Sequence, residues 1–153
     1  MADTFHLPLD TRTTEGSGLR RLIGPVVQAN RFDLTDGMNI VRLAAGLFYA
    51  PHVYQKLSGI DGALAFFTKA GLLPAPLFLG LAIAFESLSV LLLTFGIFTR
   101  WAGLVSAGCM VVAAYAIIQT KGLHWYWAQG GIEYLLFWGI ASLAIAVDAV
   151  RKG

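Results

Sequence analysis

Four apolar segments of membrane length fill most of this chain, and ionisable side chains stand inside three of them. The segments are 38–57, 75–97, 99–119 and 131–150. Each is close to the ~20 residues a helix needs to cross a ~30 Å hydrocarbon core. The first carries Arg42, His52 and Lys56, the second Glu86, and the fourth Glu133 near its start and Asp148 near its end. A charge at the bilayer centre costs roughly 3 kcal/mol on insertion scales, so such residues normally face protein and pair. The chain is 57% hydrophobic and 13% charged, with mean hydropathy +0.67. Soluble domains are nearer half apolar and a quarter charged. Because lipid satisfies no backbone polar group, spans of this kind are helices. The expected fold is therefore all-α: a polytopic membrane protein, a four-transmembrane-helix bundle with short amphipathic surface helices.

Residues 1–37 read as a separate N-terminal segment and 38–150 as the transmembrane domain. The first 18 residues are polar and lack the apolar core of a cleavable signal, so the first span serves as the insertion signal. Leu19, Leu22, Ile23, Val26 and Val27 share one helical stripe, which predicts a short helix on the membrane surface, broken at Gly24-Pro25. Ile60, Ala63, Leu64 and Phe67 form one face of a second surface helix over 60–70, ended by Gly71, Pro74 and Pro76. Only Phe98-Thr99-Arg100 separates the second and third spans, which predicts a tight hairpin. Arg20, Arg21, Arg31, Arg100, Arg151 and Lys152 fall on one side; Lys56, Lys69 and Lys121 fall on the other. That bias puts both termini in the cytoplasm. On the outer side, His124-Trp125-Tyr126-Trp127 suits the membrane interface. The single cysteine, Cys109, excludes an internal disulfide or dithiol pair and reads as a small packing residue.

At 100° per residue, Arg42, Ala45, Tyr49, His52 and Lys56 fall within a stripe about 80° wide. Arg42 and Lys56 are roughly 21 Å apart along the axis, so the first helix carries a polar seam across most of the membrane. Pro51 removes a hydrogen bond and kinks the helix just before His52. Glu86 lies mid-span and Glu133 near the outer end. The simplest arrangement turns the seam inward and lets both glutamates meet it. Gly103, Ala107 and Ala114 allow close approach by the third span. Each polar residue also has a plainer reading. Arg42 and Lys56 stand near helix ends, where basic side chains snorkel to headgroups, and Glu133 can cap or pair at the interface. Glu86 is too deep to snorkel, so it is paired or protonated. The expected site places Glu86 and His52 at the chemistry and Arg42, Tyr49, Lys56 and Glu133 in binding. Haem ligation needs two axial ligands. His52 is the only histidine at membrane depth, and His124 lies in a loop among tryptophans. No metal, phosphate or flavin motif is present, and no nucleic-acid partner is expected.

The series Arg42 to Gly46, His52 to Leu57, Glu86, Gly96-Ile97-Phe98-Thr99-Arg100 and Gly130-Gly131-Ile132-Glu133-Tyr134 resembles the DoxX family of small four-helix membrane proteins. The resemblance covers about residues 38–150 and departs at Pro51-His52, where the family usually has a glycine near the helix-1 lysine. It implies a helical bundle in the inner membrane of a bacterial-type cell and an association with respiratory or redox chemistry. Three function classes follow. In the first, the protein is a subunit with a quinone-interacting or proton-exchanging polar site in the bundle. A quinone head needs hydrogen-bond donors and an acid/base group beside an apolar slot. In the second, it is a non-catalytic anchor or accessory subunit of a larger redox complex, and segments 1–37 and 60–73 make the contacts. In the third, the seam is the path of a small-solute or proton channel. No cofactor is expected to be bound covalently, a quinone is the one this chemistry suits, and a protein partner or homo-oligomer is implied. A complete oxidoreductase in 153 residues without cofactor ligands is not expected.

Overall fold

The computed structural model describes residues 23–152, and these form five α-helices and no sheet. They are α1 (Gly37–Ser58), α2 (Ile60–Lys69), α3 (Ala75–Phe95), α4 (Thr99–Lys121) and α5 (Glu133–Arg151), with a 3-10 turn at Trp127–Gln129. The four long helices form a ring in which α1 packs on α3, α3 on α4, α4 on α5 and α5 back on α1. Three of them, α3, α4 and α5, are long and apolar enough to cross a membrane. At 22 residues α1 matches them in length. It falls short in apolarity because it carries Asn39, Arg42, His52, Gln55 and Lys56.

Local chemistry sets the helix ends. Asp36 caps α1, its carboxylate accepting from the Met38 amide at 3.0 Å. Pro51 lies inside α1, and Gly59 separates α1 from α2. The predicted surface helix is α2, whose Phe67 is buried against Ala75 and Leu79 at the start of α3. Gly96, at φ +63°, closes α3 in the left-handed conformation that glycine adopts without strain. Close helix approach depends on two other glycines. A Cβ at Gly46 would stand 2.8 Å from Thr94 Oγ1 on α3, and one at Gly103 would stand 2.7 Å from the Ser142 carbonyl on α5. Ala107 is buried in the same α4 face; Ala114 is only half-buried, and Ala116 takes the buried position further along.

One end of the bundle is closed by residues 23–36. The Gln28 amide donates to Gly96 O at 2.9 Å, and the Phe98 amide donates to Val26 O at 2.8 Å. Trp101 Nε1 donates to Ile23 O at 3.2 Å. Asn39, buried in α1, donates to the carbonyls of Asn30 and Asp33 at 2.9 and 3.0 Å. Lys152 joins the far terminus to the same end through Asp36, and it pairs with Asp148 at 2.7 Å. Residues 19–22 of the expected short surface helix lie outside the described residues; Ile23 is helical and the helix stops at Gly24-Pro25, so Val26 and Val27, although on the same stripe, are not helical: Val27 bridges Ile97. Gly24, at φ +73°, turns the chain, and the α3–α4 junction offers backbone groups left open by two helix ends.

Candidate functional site

The seam of α1 divides into three neighbourhoods. At the end closed by residues 23–36, Arg42 is 1% exposed. Its guanidinium donates to the carbonyls of Leu93 and Arg31, and to Thr94 O at 3.1 Å. No carboxylate is among these partners. Leu93 and Thr94 belong to the last turn of α3, where carbonyls lack intrahelical donors and the helix dipole is negative. Arg42 thus caps α3 from inside the bundle, and it neither snorkels nor meets Glu86.

At mid-bundle, Tyr49 is 1% exposed. Its hydroxyl lies 2.9 Å from Ser106 Oγ and donates to Ser106 O at 3.1 Å; Ser106 Oγ is 2.7 Å from Ser142 Oγ. Three hydroxyls from α1, α4 and α5 form a buried chain across the core. Tyr49 spends its one donor there, so its role is to join helices. Sequence reasoning passed over Ser106 and Ser142; their placement on the small-residue faces of α4 and α5 was the available signal.

Towards the other end, Lys56 Nζ donates to both carboxylate oxygens of Glu86, each at 2.8 Å. Their side chains are 20% and 12% exposed, so the pair is sheltered but open to a small approaching group. One turn along α3 from Glu86, Val90 packs against the buried cluster of Tyr49, Met110 and Trp138. Beside the pair stands an aromatic cluster centred on buried Trp138. Tyr49, Tyr134, His52 and Phe48 lie with ring centroids 5.0, 5.3, 6.0 and 6.1 Å from it. The Trp138 indole N–H is buried and has no acceptor. A buried donor without a partner costs about 1–3 kcal/mol, so such groups call for an explanation.

Two expected members are placed differently. His52 is exposed on α1, at the rim of this cluster, edge-on to Trp138. Glu133 does not reach α1: its Oε1 accepts from the Trp127 amide at 3.2 Å and fastens the α4–α5 loop to the start of α5. The reason is the entry into α5. Gly130, at φ +76°, and Gly131, packed against the Trp125 carbonyl, fold the loop back over the first turn. Among the described residues no group of three or more His, Cys, Asp or Glu side chains could hold a metal.

The helix order, the Lys56–Glu86 pair joining α1 to α3 and the tight α3–α4 junction all lie in the part of the chain that the DoxX family model matches, residues 37–119. That is more than half of the chain. The protein belongs to the DoxX family. The match ends before α5, so Glu133 and Trp138 lie beyond it. None of the curated proteins or solved structures matches this chain. It is a DoxX membrane protein whose apolar helices imply a lipid bilayer around them.

Proposed function

We propose that this DoxX protein is a membrane subunit in which Glu86, held by Lys56, exchanges protons with a quinone-type head group seated against Trp138. The observation that carries the reading is the combination of a half-sheltered ion pair and an adjacent indole N–H with no acceptor. A quinone carbonyl supplies the missing acceptor, the rings around Trp138 supply a flat apolar wall, and Glu86 supplies the acid/base group. His52, at the exposed edge, relays the proton outward. A partner enzyme supplies and removes the electrons. The test uses indole fluorescence. A short-chain ubiquinone analogue titrated into purified protein should quench it saturably, and Trp138→Phe should remove most of the saturable part. Equal saturable quenching in wild type and Trp138→Phe places the ligand elsewhere and rejects the reading.

A second reading, a non-catalytic anchor within a redox complex, is favoured by a different observation. Arg42 and Tyr49 spend their buried bonds on tying α1 to α3, to residue 31 and to α4. On that reading the polar seam only holds the bundle together.

The proposal includes α1 as the fourth span. It runs beside α3 over most of its length: Arg42 meets Leu93 and Thr94, Gly46 meets Thr94, and Lys56 meets Glu86. Its charged groups are satisfied by protein, which removes the main cost of crossing lipid. Lys56 also leaves the outer tally of basic residues, because its charge is used inside. The remaining outer lysines are Lys69 and Lys121, which strengthens the bias towards cytoplasmic termini. In a Cys109→Ala background, Trp125→Cys should react with an impermeant maleimide from outside and Arg100→Cys should not. The reverse labelling overturns the orientation.

A further inference from the structure

Gly96 brings two arginines together without a counter-ion. A Cβ placed on it would stand 2.9 Å from Arg31 Cβ, 3.2 Å from Arg31 Cδ and 3.5 Å from Arg42 Cζ, so both side chains lie against the same glycine at the close of α3. Arg42 is buried and directs its terminal nitrogens to carbonyls, one of them that of Arg31 itself. Its Nε is buried with no acceptor, and so is the Nε of Arg31. Arg31 is half-buried, its guanidinium rests on the Phe32 ring at 5.2 Å, and none of its side-chain nitrogens donates to a described residue. Among the described residues neither arginine belongs to an ion pair. The two acids nearest in the chain are engaged elsewhere. Asp36 holds Lys152 and the Met38 amide, and Asp33 Oδ1 accepts from the Thr35 amide and hydroxyl at 2.9 and 2.6 Å. Carbonyls satisfy the N–H groups of Arg42 but do not cancel its charge. Two cations side by side at a sheltered site repel, and what the pair lacks is a group of opposite sign.

The position narrows the anion. Helices α3 and α4 are apolar enough to cross a bilayer, and Gly96 lies in the turn between them, so the arginine pair stands at headgroup level. Val26, Phe32 and Leu34 on the closing segment expose apolar side chains at the same end. An anionic group followed by apolar chains matches that surface. A guanidinium presents a planar fork of donors that suits phosphate oxygens. We infer that Arg31, backed by the charge of Arg42, binds a phosphate anion that carries no cation of its own, with the terminal N–H groups of Arg31 donating to its oxygens. This chemistry has two sources: the headgroup of an anionic phospholipid, and a free phosphate ester from the aqueous side. Headgroups that bear an ammonium fit less well, because they bring a further cation to a pair that already has two.

Native mass spectrometry of the full chain in mild detergent tests this, with phosphatidylglycerol, phosphatidylethanolamine or phosphatidylcholine added. Phosphatidylglycerol should bind about tenfold more tightly than either of the others, the scale for basic groups at a headgroup. Arg31→Met keeps an apolar stem and removes the charge, so phosphatidylglycerol should fall to the level of phosphatidylcholine. The same variant should leave the lipid-free melting temperature unchanged or higher, because it removes a repulsion from Arg42. Arg31→Lys should keep most of the preference. Lys69→Met makes the same change in net charge at the exposed end of α2, which packs at the opposite end of α3, and it should keep the preference in full. Competition by water-soluble glycerol 3-phosphate at equal affinity identifies the free ester as the ligand; binding by the lipid alone identifies the headgroup. Equal binding of the three lipids together with no binding of glycerol 3-phosphate overturns the inference. So does a preference that survives Arg31→Met, or one that Lys69→Met reduces as much. A fall in the lipid-free melting temperature of Arg31→Met overturns it as well, since the protein itself would then be stabilising the Arg31 charge.

Discussion

Arg42→Met should lower the melting temperature of the detergent-solubilised protein by about 10 °C, the largest stability loss expected from any single polar side chain in the bundle. Arg42 is buried and donates to Leu93 O, Thr94 O and Arg31 O. Methionine fills much of the volume but removes the donor from Thr94 O and Arg31 O and leaves Leu93 O with only the Gly96 amide at 3.3 Å. Charge-assisted bonds contribute about 1.5–3 kcal/mol each, and an orphaned buried acceptor costs about 1–3 kcal/mol. Allowing for non-additivity, a loss of roughly 3–4 kcal/mol follows, and at about 2–4 °C per kcal/mol for this chain length the shift is on the order of 10 °C. Arg42→Lys sharpens the test. A single ammonium cannot span carbonyls on α3 and on residue 31 as a planar fork does, so about half the loss should remain. A snorkelling arginine makes the opposite forecast, with Lys fully tolerated. Thermal unfolding of both variants, followed by circular dichroism, decides between them.

Arg42 also shows where the sequence stopped being readable. Its depth and its inward stripe follow from helical periodicity, but its partners are main-chain carbonyls at the end of α3. Every helix C-terminus offers such acceptors, whatever its residues, so no side chain announced them. Glu86 shows the same limit from the other side. Depth counted along helix axes put it at mid-span, whereas the four-carbon stem of Lys56 reaches along the helix and takes both of its oxygens. His52 and Glu133 were read from stripe and depth as inward residues. One stands exposed on α1, and the other is turned into the α4–α5 loop by the Gly130-Gly131 fold. By contrast, the second surface helix, the hairpin break and the close approach at Gly103 were all legible. Each depends on local chemistry: an amphipathic period, a glycine stop, a missing side chain. The Tyr49–Ser106–Ser142 chain needed the relative rotation of three helices, which periodicity on one helix does not contain.

Glu86→Gln should leave the protein assembled and cut quinone-linked proton exchange about 10²-fold or more, the usual scale for losing a positioned acid/base group. The substitution keeps the shape and one accepting oxygen for Lys56 while removing the acid/base group. Saturable quenching of Trp138 fluorescence should persist, since the indole and the apolar wall are untouched. The anchor reading forecasts something else. If the pair only fastens α1 to α3, Glu86→Gln and Lys56→Gln should each destabilise the bundle by leaving a sheltered polar partner behind, and the double variant should recover much of the loss. These patterns differ in sign as well as in size. A stable single variant with its proton chemistry gone supports the quinone site; an unstable single variant rescued by the second change supports a structural clasp. A stable Glu86→Gln with quinone-linked proton exchange unaltered would falsify the assignment of Glu86 as the proton-exchanging group, because it is the only carboxylate held at this depth beside Trp138 among the described residues.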